Sequence, residues 1–156
     1  SMAKEDDMKS KLLLYILGLT LVLLPAASWA LFGFGGPEEV KATGGEVRIP
    51  AGDLKDGKAR FYKFQDAGKE IAFFAVQGKD GKVRTAFNAC DVCWPAKKGY
   101  VQDGEYMICV NCGQRFHLSR IMEVKGGCNP GPLARTMDGD TMVIKTADLA
   151  TGARYF

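Results

Sequence analysis

The sequence has few of the residues on which most hydrolytic, haem-binding and nucleic-acid-binding sites depend. It contains one histidine, His117, and no Ser/His/Asp set, phosphate-binding loop or paired carboxylates of the kind used in catalysis. Haem attachment is excluded because Trp94 and Gly113 stand where C-x-x-C-H requires histidine. Acidic and basic residues interleave, the net charge is only +3, and no Lys/Arg run occurs. This argues against nucleic acid as a partner, and the lack of a catalytic set argues against a stand-alone enzyme.

Glycine is abundant. Nineteen glycines and recurrent Asp-Gly pairs in 156 residues favour strands and turns over a helical bundle. The segment 70–77 (EIAFFAVQ) is apolar on both faces, which predicts a central strand or one between two layers. Further strands are predicted at 47–49, 60–65, 83–88, 106–109, 141–145 and, as a closing edge, 154–156. The predicted fold is mostly β, a compact small sheet or barrel-like domain with two metal-binding knuckle loops, preceded by one N-terminal hydrophobic helix.

The N-terminal region predicts export of the rest of the chain. Residues 12–30 carry no charge, and a helix of this length can span a bilayer core of roughly 30 Å. Lys9 and Lys11 precede the segment, and Ser28-Trp29-Ala30 resembles a signal cleavage site. Residues 1–30 are therefore either a cleaved signal peptide or a single transmembrane anchor. Both place the domain outside the cytoplasm, on the periplasmic side, and a retained helix would attach it to the membrane.

The sequence divides the remainder of the chain into two parts. Residues 31–45 (LFGFGGPEEVKATGG) are glycine-rich and predict a linker. Residues 46–156 are predicted to form the cysteine-rich metal-binding domain.

All five cysteines lie in one stretch, between residues 90 and 133. A first C-x-x-C pair is followed after fifteen residues by a second, and fifteen more residues lead to the last cysteine. Two such pairs are typical of a tetrahedral metal site, in which each pair forms a tight turn, called a knuckle here, that presents two thiolates. The second knuckle is followed by Gly113, where a tight turn leaves little room for a β-carbon. The predicted ligands of this site are Cys90, Cys93, Cys109 and Cys112.

The spacing leaves the bound metal open. Four soft sulfur ligands suit an iron–sulfur cluster, mononuclear iron or Zn²⁺. Two disulfides and one spare thiol are an alternative in an oxidising compartment, although an odd number of cysteines and two C-x-x-C pairs fit it poorly. A redox-active C-x-x-C dithiol normally begins a helix in a βαβ unit, and neither pair here does.

The fifth cysteine, Cys128, has unusual surroundings. Two glycines precede it, so its backbone can approach another segment closely, and Asn129-Pro130 restricts the chain that follows. The spacer from Cys112 to Cys128 equals that from Cys93 to Cys109. We therefore predict that Cys128 lies within direct reach of the metal site.

Other side chains near the motifs are predicted to pack and not to bind metal. His117 is a lone histidine, and Met107 most simply fills the core. Aromatic residues around the motifs are predicted to shield the site from water: Trp94, Tyr100, Tyr106 and Phe116.

From about Ile49 to Phe156 the sequence resembles the FtrD-like family of membrane iron–sulfur proteins, which are often found with bacterial ferrous iron uptake systems. The matching pieces are FYKF, EIAFFAV, KDGKVRTAFNACDVC, KKGYVQDG, MICVNCG, GGCNPGPL and DTMVIKTADL. The resemblance implies a membrane-associated, cysteine-ligated iron–sulfur centre that moves electrons for iron transport, with a membrane iron-transport or redox partner. By position, Cys90, Cys93, Cys109 and Cys112 match the family's two knuckles, and Cys128 matches its Gly-Gly-Cys element.

A second likeness is to Rieske domains, in which C-x-H and C-x-x-H pairs on two loops hold a [2Fe–2S] cluster. The stretch from Cys109 to Leu133 looks like the second Rieske loop with its Gly-Pro turn. Cys93 and Cys112 replace the two histidines, and all-thiolate ligation would lower the reduction potential. The leading hypothesis is thus an iron-based electron carrier or iron-uptake accessory. The alternative is a structural zinc module that presents a protein-interaction surface.

Overall fold

The computed structural model describes residues 36–156, so the predicted signal or anchor segment lies outside the described residues. Across residues 36–156, no helix has the length and apolar character needed to cross a membrane. The described chain is mostly β, which confirms the predicted class. Its ten strands are β1 (Glu38–Val40), β2 (Glu46–Pro50), β3 (Arg60–Asp66), β4 (Lys69–Gln77), β5 (Val83–Phe87), β6 (Tyr100–Asp103), β7 (Tyr106–Cys109), β8 (Arg115–His117), β9 (Thr136–Asp138) and β10 (Thr141–Lys145), and one short helix, α1, spans Thr146–Ala150.

The strands form three small sheets rather than one sheet or a barrel. The largest has the order β1-β3-β4-β5, with β1 parallel to β3 and the other pairs antiparallel. The second has the order β2-β10-β9 and the third the order β6-β7-β8. The hairpin from β4 to β5 turns at Asp80-Gly81, where Gly81 has φ 74°, a value that L-residues rarely adopt.

Strand β4 lies at the centre of the largest sheet, as its apolar sequence predicts, and its two faces belong to two separate cores. Ile71, Phe73 and Ala75 pack into one core, which the β2-β10-β9 sheet completes from its side. Phe74 and Val76 point the other way, into a second core shared with the β6-β7-β8 sheet. This alternation is the period of a strand that is buried on both faces. The second core contains two of the five cysteines.

Two parts of the sequence adopt a structure other than the one predicted for them. Glu38–Val40, within the predicted linker, forms β1 because its backbone pairs with Tyr62–Phe64 of β3. The C-terminal aromatic residues, predicted as an edge strand, instead follow α1 in a 3₁₀ turn over Thr151–Tyr155. The turn packs there because Gly152 lies against the Phe87 ring, where a β-carbon would come within 2.2 Å of a ring carbon.

Candidate metal centre

The first knuckle is the direct continuation of β5. The chain leaves the sheet at Phe87 and turns at Cys90, whose sulfur accepts a hydrogen bond of 3.1 Å from the Cys93 backbone amide. The Trp94 amide donates to the Cys90 carbonyl at 3.3 Å, and a 3₁₀ turn follows over Trp94–Ala96. These amide–sulfur and amide–carbonyl bonds close the knuckle, so its two thiols point to the same side.

The second knuckle repeats this turn at the end of β7. The Gly113 amide donates to the Cys109 carbonyl at 2.8 Å, and the Cys109 amide donates to the Gln114 carbonyl at 2.9 Å. Gly113 has φ 75°, which confirms the prediction that this turn favours glycine.

A third loop, formed by residues 126–131 and called the Cys128 loop here, approaches the first knuckle from the side. The Phe87 amide donates to the Gly131 carbonyl at 2.7 Å, and the Gly131 amide donates to the Ala89 carbonyl at 2.9 Å. The Tyr100 hydroxyl donates to the Cys128 carbonyl at 2.5 Å. These bonds dock the loop along the same segment that carries Cys90, which explains how Cys128 reaches the knuckles.

The five sulfurs form two overlapping groups. Those of Cys90, Cys93 and Cys128 lie within 4.8 Å of one another, and so do those of Cys93, Cys109 and Cys112. Cys93 belongs to both groups. All five cysteines are free thiols, so the structure contains no disulfide among them.

This arrangement differs from the single tetrahedral set that the spacing predicts. The four knuckle sulfurs do not make one group, because Cys90 lies with Cys128 and not with Cys109 and Cys112. The Cys93 and Cys128 sulfurs are 3.7 Å apart. A tetrahedral site with metal–sulfur bonds of about 2.3 Å has sulfur–sulfur edges of about 3.8 Å, so this pair already has the separation of two ligands on one metal.

The thiols differ in how readily they lose a proton. The Gln114 backbone amide bonds to Cys112 and lowers the pKa of this exposed thiol. Burial raises the pKa of Cys109 to about 11, although the Cys112 and Asn111 amides oppose it. Burial also raises the pKa of Cys128, as do the neighbouring thiols of Cys112 and Cys93. A positive metal ion would reverse these upward shifts, since thiols bind metals as thiolates.

The site is buried on one side and exposed to solvent on the other. Cys90 and Cys109 are 1% and 2% exposed, beneath a chain of aromatic rings. The Phe74 and Phe116 rings each lie 6.2 Å from the Tyr100 ring. Cys112 faces solvent, and three apolar side chains near the knuckles are exposed as well: Val92, Trp94 and Val110.

The other side chains singled out in the sequence have different environments. Met107 is fully buried in the second core. The His117 ring contacts the Ser119 hydroxyl at 2.8 Å and packs edge-on against Tyr106, outside both thiol groups. Tyr106 is half-exposed under Arg115, so it does not shield the sulfurs, whereas Tyr100 and Phe116 do. The anchoring role of the Tyr100 hydroxyl and the shared position of Cys93 have no signal in the sequence.

The chain was compared with protein families, curated proteins and solved structures. A family model described as "Membrane iron-sulfur containing protein FtrD-like" matches residues 54–156. This range includes all five cysteines and every residue of the second core. No curated protein and no solved structure matches the chain significantly.

Proposed function

The chain belongs to the FtrD-like family of membrane iron–sulfur containing proteins, and from this premise we propose that its thiols bind an iron–sulfur or iron centre that serves electron transfer or iron uptake at a membrane. The proposed ligands are Cys90, Cys93, Cys109, Cys112 and Cys128. The observation that carries the proposal is that three separate loops bring five free thiols into two groups that share Cys93.

The donor set fits this kind of centre. Five thiols and no carboxylate or imidazole make up the two groups, and thiolates are the ligands that iron–sulfur clusters and zinc prefer. When bound, an iron–sulfur centre would supply one-electron redox chemistry. In this proposal the protein holds the sulfurs in place, keeps water from the inner side and leaves the outer side accessible.

The distribution of burial supports an electron-carrying role. The inner thiols, Cys90 and Cys109, are buried against the aromatic rings, which would lower the local dielectric. The outer thiol, Cys112, reaches the surface, and Val92 and Val110 beside it are 60% and 44% exposed. A membrane redox or iron-transport partner would approach the centre from this side.

Anaerobic purification followed by elemental analysis tests the proposal. We expect iron, acid-labile sulfide and a brown protein whose visible absorption bleaches on reduction. A colourless protein that contains stoichiometric zinc and no iron after anaerobic isolation would overturn the iron assignment. A variant with Cys112 and Cys128 both replaced by serine is the negative control. It lacks one proposed ligand of each group and should contain less iron. Neither thiol is fully buried, so the fold should be retained.

A structural zinc site is the second candidate. The 3.7 Å separation of the Cys93 and Cys128 sulfurs matches the edge of a zinc–thiolate tetrahedron. A zinc module would present the exposed apolar residues around the knuckles as a protein-binding surface. Zinc would make the protein colourless and redox-silent, so the same purification distinguishes the two candidates.

The proposed location is outside the cytoplasm. It rests on the uncharged segment 12–30 after Lys9 and Lys11 and on the family's membrane association. A reporter active only outside the cytoplasm, fused after Gly45, should give a signal. The same fusion without residues 12–30 is the control, and a stable but silent full-length fusion would contradict the proposal.

A further inference from the structure

A cavity of about 440 Å³ opens beside the thiols and is not explained by metal binding. Its volume lies in the range of small-molecule sites. One side of it contains Cys90, Cys93 and Cys109, so a molecule in the cavity would lie against the candidate metal centre. The rest of the lining includes lysines, asparagine side chains and aromatic side chains.

The cationic groups of the lining come from two separate segments of the chain. Lys69, the first residue of β4, donates to the Ala153 carbonyl at 2.8 Å. Lys97 and Lys98 lie in the loop that follows the first knuckle. The acidic residue of the lining, Glu70, is already engaged by Lys63 at 3.3 Å. Among the described residues no carboxylate lies within ion-pair distance of Lys97 or Lys98, so the cavity favours an anion.

The loop that carries Lys97 and Lys98 is held in place. Lys97 has φ 52° and its amide bonds to the Trp94 carbonyl at 3.0 Å. At the other end, Gly99 has φ 63° and lies so close to the Asn88 side chain that a β-carbon would come within 2.6 Å of it. The Asn88 side-chain oxygen also accepts a bond of 2.8 Å from the Tyr100 amide. The two lysines are therefore presented by a backbone of fixed shape, which reduces the ordering cost of binding.

The rest of the lining defines the shape of the ligand. The lining also contains the aromatic residues Trp94, Tyr155 and Phe156, and Asn88 and Asn111 add amide groups. A compact ion such as phosphate would interact with the lysines but leave the aromatic part of the lining uncovered. A molecule with two or three carboxylates on a short carbon chain would pair with more than one lysine and place its carbon chain against the aromatic lining.

We propose that this cavity binds a small polycarboxylate anion beside the thiol centre. Carboxylates are hard oxygen ligands and thiolates are soft ones, so a polycarboxylate complex bound here would bring its metal ion to the thiols for exchange of ligands. In that exchange a metal–oxygen bond breaks, a metal–sulfur bond forms, the thiol proton passes to the released carboxylate, and no electron is transferred. This last role rests on the proposed iron-binding function, whereas binding of the anion does not.

Isothermal titration calorimetry on the full chain, purified anaerobically, tests the proposal with tricarballylate as the probe. We expect saturable binding that weakens as salt is added, because the lysines are exposed and their charges are screened. The double variant K97A/K98A should bind about tenfold more weakly or worse, a loss of about 1.4 kcal/mol. The matched control is K55A/K145A, which removes the same charge at two exposed positions outside the cavity.

Three results would overturn the proposal: no heat of binding to the parent, equal binding of phosphate and tricarballylate, or an equal loss in the control variant. Metal content is measured on every sample by elemental analysis. A chain that retains its metal but does not bind tricarballylate refutes the anion site alone. A chain that binds tricarballylate but holds no metal refutes the proposed metal centre and leaves the anion site standing.

Discussion

Because Cys93 belongs to both thiol groups, we can predict how many metal ions each cysteine variant binds. If each thiol group holds one metal ion, the chain binds two, and serine at Cys93 damages both sites. Serine at Cys128 removes a ligand from one group and serine at Cys112 removes a ligand from the other. These three positions form a matched set because none of them is fully buried, so serine does not place a hydroxyl in the core.

The size of the effect follows from the number of ligands. Structural zinc sites have apparent binding free energies of about 10–16 kcal/mol, which is about 3 kcal/mol for each of four ligands. Loss of one thiolate should therefore weaken a site by about two orders of magnitude. We expect about two Cd²⁺ ions bound with full affinity in the parent and about one in C128S and in C112S. In C93S we expect none with full affinity, because both sites are weakened by about two orders of magnitude.

Anaerobic titration with Cd²⁺, followed through the sulfur-to-cadmium charge-transfer band, measures these numbers. Far-UV circular dichroism of each variant checks that the fold is retained. A parent that binds one ion, with all three variants losing it equally, would refute the two-group reasoning and favour a single centre. A C93S variant that binds as many ions as C128S would refute the shared role of Cys93.

The remaining predictions concern the scaffold and are measured by urea unfolding. G152A should lose about 1–3 kcal/mol of unfolding free energy because its β-carbon would overlap the Phe87 ring, whereas G36A, in open space, should not; equal stability would contradict the packing. Y100F should lose about 1 kcal/mol of unfolding free energy because it lacks the bond to the Cys128 carbonyl. An unchanged unfolding free energy would show that the hydroxyl does not anchor that loop. The buried Arg84 guanidinium lowers the pKa of Asp80, so this pair stabilises the fold above the unfolded-state pKa of about 4 and the contribution disappears as pH falls through the lower folded-state value. D80N should therefore be less stable than the parent at pH 7, by a margin that narrows in acid; a margin independent of pH would show that the charge is not responsible.

Much of the fold is visible in the sequence because burial leaves a pattern. The segment 70–77 has apolar residues at successive positions, and it forms β4 between two cores. Strand β9 leaves no such pattern, since all three of its residues are exposed and it is held by backbone pairing to β10. The C-terminal aromatic residues suggest a strand, but the close approach of Gly152 to Phe87 depends on tertiary packing that no local pattern reveals.

The candidate site is predictable in its ligands and not in their grouping. The C-x-x-C spacing identifies both knuckles, because each turn is closed by bonds within four residues. The spacing does not predict that Cys90 lies with Cys128. That neighbourhood depends on the bonds between Gly131 and the end of β5, which join segments more than forty positions apart in the sequence.

The central sheet separates the metal centre from much of the structural core. Alternate side chains of β4 face opposite sides, and the cysteines pack only with the side that holds Phe74 and Val76. A shift of β4 by one residue would exchange the faces and turn Ile71 and Phe73 toward the thiols. Because that shift would expose or displace both cores at once, the register of β4 is strongly fixed. The same register therefore holds the aromatic rings over the inner thiols and leaves the outer knuckle surface free for a ligand or a partner.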